Sequence, residues 1–179
     1  MTSWMMGSLR AAVMTVAAAG AVASAAVAQE STNRVATETD WSIFTEESPK
    51  ECWGVSKPKE SVNTRDGNAV SVRRGDILLF VTYRPGSGAA GEISFSGGYP
   101  FAPGSTVNMK IDDKSFELFV DGEWAWPANT ADDAAMLASL KSGGSAVLTA
   151  KSAKGTQTKD TFSLLGFTAA MQEAETRCK

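Results

Sequence analysis

The sequence predicts a mainly β domain, a sandwich or a barrel, with two short helices near its C-terminus. From residue 40 onward, short apolar runs follow one another, and turn dipeptides such as Asp66-Gly67 and Asp121-Gly122 separate them. A parallel α/β sheet would need a helix between successive strands, and most of these runs lie too close together for that. Helical periodicity appears late, over 131–142 and from Phe167 to Arg177.

The strands are predicted from alternation of apolar and polar residues, or from short, wholly apolar runs. They are WSIFTEE (41–47), CWGVSKP (52–58), the run around Val70 and Val72, ILLFVTY (77–83), EISFSGG (92–98), the runs 107–111, 116–120 and 123–126, AVLTAKS (146–152) and TKDTFSL (158–164). ILLFVTY is apolar on both faces, which favours a central strand. The last two runs are predicted to form a hairpin around Lys154-Gly155.

The first helix is predicted from its ends as well as from its apolar stripe. Thr130 is a suitable N-cap, Asp133 follows at capping-box spacing, and Gly143 suits the C′ position. The second helix is predicted from apolar residues at i, i+3, i+4 and i+7, beginning at Phe167 and continuing to Ala174. It would deliver Cys178 to a partner.

The N-terminal segment predicts export. Arg10 precedes a small and apolar run, 11–27, which ends at Ala26-Val27-Ala28. This order is typical of a signal peptide over 1–28 cleaved after Ala28, and a retained membrane anchor is the alternative. Residues 29–39 are predicted as a flexible lead-in and 40–179 as a single domain, with no later span across a membrane.

The charge of the chain narrows the class of partner. The formal net charge of −3 gives no reason for general affinity to nucleic acid or to anionic lipid. Arg73-Arg74 is the one basic pair of note, and we interpret it as a solvated strand end.

Cys52 and Cys178 favour one structural disulfide in an exported chain, with free thiols as the alternative.

No catalytic constellation is evident. The chain has no histidine, which excludes Ser-His-Asp and Cys-His catalysis and removes a common metal ligand. We therefore predict no metal and no cofactor. Paired carboxylates could perform glycosidic acid–base chemistry. The candidates are Asp112-Asp113, Asp121 with Glu123, and Asp132-Asp133. Hairpin turns and a helix N-terminus also account for these residues.

Aromatic residues are the main candidates for a contact surface. Trp124 and Trp126 are two positions apart and share one face of a strand, where they could stack on a sugar or on a partner's apolar side chain. Alternatively, both cover the core beside the 131–142 helix. Tyr99 and Phe101, and the loop that begins at Arg84, are further candidates, although a packed turn and a simple connection explain them equally.

Several segments together resemble the invasion associated locus B family. They are Trp41, CWGVSKP, VSVRRGDILLFVTY, GSTVNMKIDDKSFELF, LASLKSG and FSLLGFTAAM (162–171). The resemblance covers most of 40–171 and implies an immunoglobulin-like antiparallel β-sandwich, in the periplasm or associated with the outer membrane. Many members have a cysteine pair before the helix, whereas 119–126 has none here.

The expected function is that of an exported, non-enzymatic envelope protein, a binding or structural module whose partner is an unknown envelope protein or glycan. Its predicted contact residues are Trp124, Trp126, Tyr99, Phe101 and Arg84. The alternative is a hydrolase of glycans or peptidoglycan that uses paired carboxylates such as Asp121 and Glu123.

Overall fold

The computed structural model describes residues 33–179, so the predicted signal peptide, 1–28, lies outside the described residues. The described chain has twelve strands and two α-helices. The strands are β1 (Arg34–Glu38), β2 (Trp41–Glu47), β3 (Lys50–Ser56), β4 (Glu60–Arg65), β5 (Asn68–Ala69), β6 (Leu78–Arg84), β7 (Ala89–Ser96), β8 (Thr106–Ile111), β9 (Lys114–Asp121), β10 (Trp124–Trp126), β11 (Ser145–Lys151) and β12 (Gln157–Ser163). The helices are α1 (Thr130–Ser142) and α2 (Phe167–Arg177).

The strands form one continuous antiparallel sheet in the order β1-β2-β3-β6-β7-β10-β9-β8-β11-β12-β4-β5. Phe95 on β7 contacts Phe162 on β12, with ring centroids 6.1 Å apart, although four strands separate them in the sheet. The sheet therefore folds over on itself. We call β1-β2-β3-β6-β7-β10 the first half and the remaining strands the second half. Their inner faces enclose the core, which confirms the mainly β, sandwich-like fold with two helices near the C-terminus.

Helix α2 closes the first half and begins and ends as predicted. Its Phe167 packs edge-on against Trp41 of β2 at 4.8 Å, and the indole nitrogen of Trp41 donates to the Ser163 carbonyl at 3.1 Å. Cys178 follows the helix and is bonded to Cys52 of β3, with the two Cα atoms 5.7 Å apart. The predicted disulfide is confirmed, and it joins positions 126 residues apart.

Helix α1 covers a free sheet edge, which changes the predicted roles of its first residues. Asn129, and not Thr130, is the N-cap, and its side chain accepts from the amides of Ala131 and Asp132. Strand β10 pairs with β7 only at Phe95 and Ser96. Asp133 accepts from the Ile93 amide at 2.8 Å, so it satisfies the β7 edge that β10 leaves open.

Three local predictions are corrected. The flexible lead-in 29–39 contains β1, because Arg34–Glu38 pairs with β2; residues 29–32 lie outside the described part of the chain. The run around Val70 and Val72 forms no strand, since ladder pairing there ends at Asn68–Ala69. Most of the segment predicted as a loop beginning at Arg84 is regular structure, because Pro85–Ser87 makes one 3₁₀ turn and β7 begins at Ala89.

Gly143 ends α1 but with a φ of −84°, outside the left-handed region. Its place there is explained by close packing, since an added Cβ would lie 2.6 Å from Ile111. Within 33–179, no helix has the length and apolar character needed to cross a bilayer.

Candidate ligand-binding surfaces

An aromatic groove lies on the outer face of the first half. It has a volume of about 340 Å³. Its lining residues come from four neighbouring strands: Glu51, Trp53, Phe80, Thr82, Arg84, Glu92, Ser94, Trp124 and Trp126. Ser94 on β7 lies beside Phe80 in the ladder. Because serine is small, it leaves a depression between the aromatic side chains of β3 and β6 and those of β10.

Trp124 and Trp126 form one wall of the groove. Ala125 between them is fully buried, so the alternation of β10 directs both indoles outward, and Trp124 is 39% exposed. Both indoles therefore lie on the outer face of the sheet, and neither covers the core beside α1. The two rings are 6.4 Å apart and within 20° of parallel. Phe80 on β6 packs on Trp124 at 5.6 Å, and Phe119 on the adjacent strand β9 packs on Trp126 at 5.7 Å, so both indoles are held in place.

Trp53 forms the opposite wall. It stacks on Phe44 of β2 with ring centroids 5.6 Å apart and planes within 6° of parallel. The aromatic strip thus runs from β2 to β9 across six neighbouring strands. At a spacing of roughly 4.8 Å per strand, its length is about 24 Å.

Arg84 also lines the groove. Its guanidinium donates to Glu51 at 2.8 Å and to Glu92 at 2.9 Å. The hydrogen bond and charge of Glu92, together with those of Glu51, raise the pKa of Arg84 against the opposing effect of burial. This network holds donors and acceptors in fixed positions along one rim of the aromatic surface.

Tyr99 and Phe101 do not join the groove. Phe101 is only 4% exposed and packs against Phe95 in the core, so its side chain is buried and does not form part of a contact surface. Tyr99 lines a second cavity, the basic cleft, of about 430 Å³. Its hydroxyl is 2.6 Å from the Thr158 hydroxyl, and burial raises its pKa.

Beneath Tyr99 lies a buried ion pair that corrects the interpretation of Arg73-Arg74 as a solvated pair. Arg74 donates to both carboxylate oxygens of Asp160 at 2.8 and 2.6 Å, and the two side chains are only 6% and 0% exposed. Ser61 donates to the same carboxylate at 2.7 Å. The Arg74 guanidinium also lies 4.9 Å from the Tyr99 ring centre. Arg73 is exposed, as predicted.

The paired carboxylates are not brought together in a cavity. Asp121 and Glu123 flank Gly122 in the β9–β10 turn, and both are exposed. Glu123 lines the basic cleft, whereas Asp121 lines neither cavity described here. Asp112 occupies a left-handed turn position, φ 48°, and Asp132 bonds the N-cap residue Asn129. In the part of the chain that the structure describes, no cluster of three side chains suits a metal ion.

Fold and surfaces together define a disulfide-bonded, sandwich-like β domain with an exposed aromatic groove. The model of the family described as "Invasion associated locus B (IalB) protein" matches residues 41–175, and the chain belongs to this family. The crystal structure of invasion associated protein B from Bartonella henselae is similar, with a TM-score of 0.53 and 16% identity. The match covers 78% of this chain and 94% of that one, and at this identity it shows the fold alone. A comparison with curated protein sequences finds no match.

Proposed function

We propose that this protein is an exported, non-enzymatic binding module of the bacterial envelope that holds a glycan strand on its aromatic groove. The observation that carries the proposal is the outward-facing pair of Trp124 and Trp126, which lines the groove opposite Trp53. Burying a large aromatic side chain stabilises a protein more than burying most other side chains does. Folding alone therefore gives no reason to expose several of them on one face of a domain that already has a core.

The shape of the groove favours a sugar over a protein side chain. Protein partners anchor aromatic or apolar side chains in enclosed pockets. Here the surface is an open strip of aromatic side chains, and an exposed indole face can stack on the C–H face of a pyranose ring. A strip that crosses six strands suits a linear polymer that contacts several rings in turn.

The polar residues of the groove suit hydroxyl groups. Arg84 supplies N–H donors, while Glu51 and Glu92 supply acceptors, and the mutual ion pairs orient all three side chains before a ligand arrives. The charges are locally balanced to within one unit, which favours a neutral, hydroxyl-rich ligand over a strongly charged one.

The groove also explains why we propose binding and not hydrolysis. A glycosidase needs one protonated carboxyl group as its acid. Asp121 and Glu123, the carboxylates of the hydrolase alternative, instead lie on an exposed turn. Among the ion pairs of the described residues, only Arg84 contacts the groove carboxylates Glu51 and Glu92. Incubation with N-acetylglucosamine oligomers should therefore produce no new reducing ends; a time-dependent release of them would favour the hydrolase.

Retention in native gels that contain a soluble β-glucan or glycol chitin tests binding. The wild-type protein should be retarded, and Trp124→Ala with Trp126→Ala should restore free mobility. Leu165→Ala is the matched control, since Leu165 is exposed and apolar but outside the groove. Equal retardation of wild type and the double variant would contradict the proposal.

The export part rests on the predicted signal peptide. Intact mass of the protein from an envelope fraction should correspond to a chain that begins at Gln29. Alkylation should add no mass until Cys52 and Cys178 are reduced. A chain that retains residues 1–28 would contradict cleavage without affecting the groove.

A further inference from the structure

The basic cleft is a second concave surface, separate from the aromatic groove. Its walls are the segment around Arg73, the loop that contains Tyr99 and Pro100, and the β11–β12 turn at Lys154. The two cavities share no lining residue, although Glu123 and Trp124 are neighbours in the chain.

The floor of the cleft is rigid and locally neutral. Arg74 is fully occupied, because it bonds both oxygens of Asp160 and donates to the Gly97 carbonyl at 3.0 Å. Tyr99 covers this pair and is itself held by Thr158. The positive charge of Arg74 is therefore cancelled by Asp160, and the cleft does not depend on it for its potential.

The walls carry cations without a counter-ion. Arg65, Arg73 and Lys154 line the cleft, and within 33–179 none of the three forms an ion pair. Arg65 has one polar contact, to the Thr156 hydroxyl at 2.8 Å. Glu123 is the one carboxylate among the lining residues that the structure describes. Three cations that face a shared concavity repel one another, and an anion between them would remove that repulsion.

Hydroxyl groups complete the donor set. Ser152 and Thr156 line the same cavity. The Ser152 oxygen accepts from the Thr156 amide at 3.1 Å, and the Thr156 oxygen accepts from Arg65. Within 33–179 neither hydroxyl donates to an acceptor, although the two residues are only 7% and 3% exposed. The cleft thus offers charged and neutral donors from several directions.

We propose that the basic cleft binds a phosphate group, carried by a soluble phosphomonoester or by a lipid headgroup. A phosphate has more acceptor oxygens and a higher charge than a carboxylate, so it can use guanidinium, ammonium and hydroxyl donors together. Glu123 at the rim accepts a hydrogen bond from a hydroxyl or ammonium of the molecule that carries the phosphate. This site is independent of glycan binding at the groove.

Titration with inorganic phosphate, followed by amide NMR shifts, tests the proposal. Saturable shifts should be confined to residues of the cleft such as Tyr99, Lys154 and Thr156. Arg73→Ala with Lys154→Ala should weaken binding by about tenfold or more, because two charge-assisted contacts are lost. Arg34→Ala with Lys110→Ala removes the same charge from exposed positions outside the cleft and should leave the affinity within about twofold.

Vesicles distinguish the two sources of phosphate. Binding to phosphatidic acid vesicles that competes with inorganic phosphate assigns the site to a lipid headgroup. Phosphate binding without vesicle binding assigns it to a soluble phosphomonoester. Shifts that do not saturate, or equal weakening in both double variants, would overturn the proposal, and unchanged melting temperatures show that each variant is folded.

Discussion

The two outer faces of the sandwich present different chemistry to solvent. The first half exposes Trp53, Phe80, Trp124 and Trp126. The second half exposes mostly hydrophilic residues, such as Asn108 beside Thr149 and Lys159, with Phe119 on β9 and Val62 on β4 as its exposed large apolar side chains. Both halves bury apolar side chains on their inner faces, so the outer faces are not needed to form the core. The aromatic side chains on the outer face of the first half have no counterpart of similar extent on the second, and the proposed glycan binding rests on this difference.

Different interactions also stabilise the two halves. A disulfide and α2 close the first half, whereas the buried Arg74–Asp160 pair anchors the segment before β6 to β12 in the second. Breaking each of these restraints should show which half depends on it.

The largest expected effect is that of the disulfide. Cys52→Ser with Cys178→Ser should lower the free energy of unfolding by about 4 kcal/mol, because the bond closes a long loop in the unfolded chain. Chemical denaturation measures it, and reduction of the wild-type protein is the control that should reproduce the loss. A loss below about 1 kcal/mol would mean that α2 docks without the bond.

The buried ion pair should come next. Arg74→Ala leaves the Asp160 carboxylate buried with Ser61 as its remaining side-chain donor, and should cost about 3 kcal/mol of unfolding free energy. Arg73→Ala is the matched control, and since Arg73 is exposed, its cost should stay within about 0.5 kcal/mol. Similar costs for the two neighbours would contradict the distinct role given to Arg74.

Tyr83 provides a pH-dependent test of the first half. Burial, with the charge of Glu175, raises its pKa to about 12. The unfolded chain loses this proton near pH 10, so stability is present below pH 10 and falls as the pH rises towards 12. Tyr83→Phe should remove about 1 kcal/mol of the alkaline loss between pH 8 and pH 11. Urea denaturation at about pH 8 and pH 11 measures it, and an unchanged alkaline loss would contradict the assignment.

At neutral pH, replacing Tyr83 or Tyr99 by phenylalanine should change the stability of the protein in opposite directions. The Tyr83 hydroxyl is buried and has no partner within 33–179, so Tyr83→Phe should be neutral or stabilise by about 1 kcal/mol. Tyr99→Phe loses the bond to Thr158 and should destabilise by about 1 kcal/mol. Thermal melting of both variants checks this, and destabilisation by Tyr83→Phe would point to an unrecognised partner.

Much of the fold could be predicted from the sequence because alternation and turn signals are local. The bounds of β2 and α2 agree with the predicted ones for this reason. Strand β1 could not be predicted, since RVATE has no apolar alternation and becomes a strand only by pairing with β2. The N-cap was placed one residue late because Asn129 and Thr130 are both good caps.

The site was predicted only in part. Spacing alone placed Trp124 and Trp126 on one face, and Arg84 proved to be their neighbour. Trp53 and Phe80 were missed as partners, because ladder register and sheet order bring them to the groove and neither is visible in sequence. The Arg74–Asp160 pair was missed for the same reason, since 86 positions separate the two residues.

The most direct test of the aromatic groove is a titration with N-acetylglucosamine oligomers that follows the indole N–H signals by NMR. Trp41 is fully buried in the core and serves as an internal control in the same spectrum. The account predicts that the signals of Trp53, Trp124 and Trp126 shift together and saturate, while the Trp41 signal stays in place. If none of the three shifts with these oligomers or with soluble β-glucans, or if Trp41 moves equally, the groove is not a glycan-binding surface.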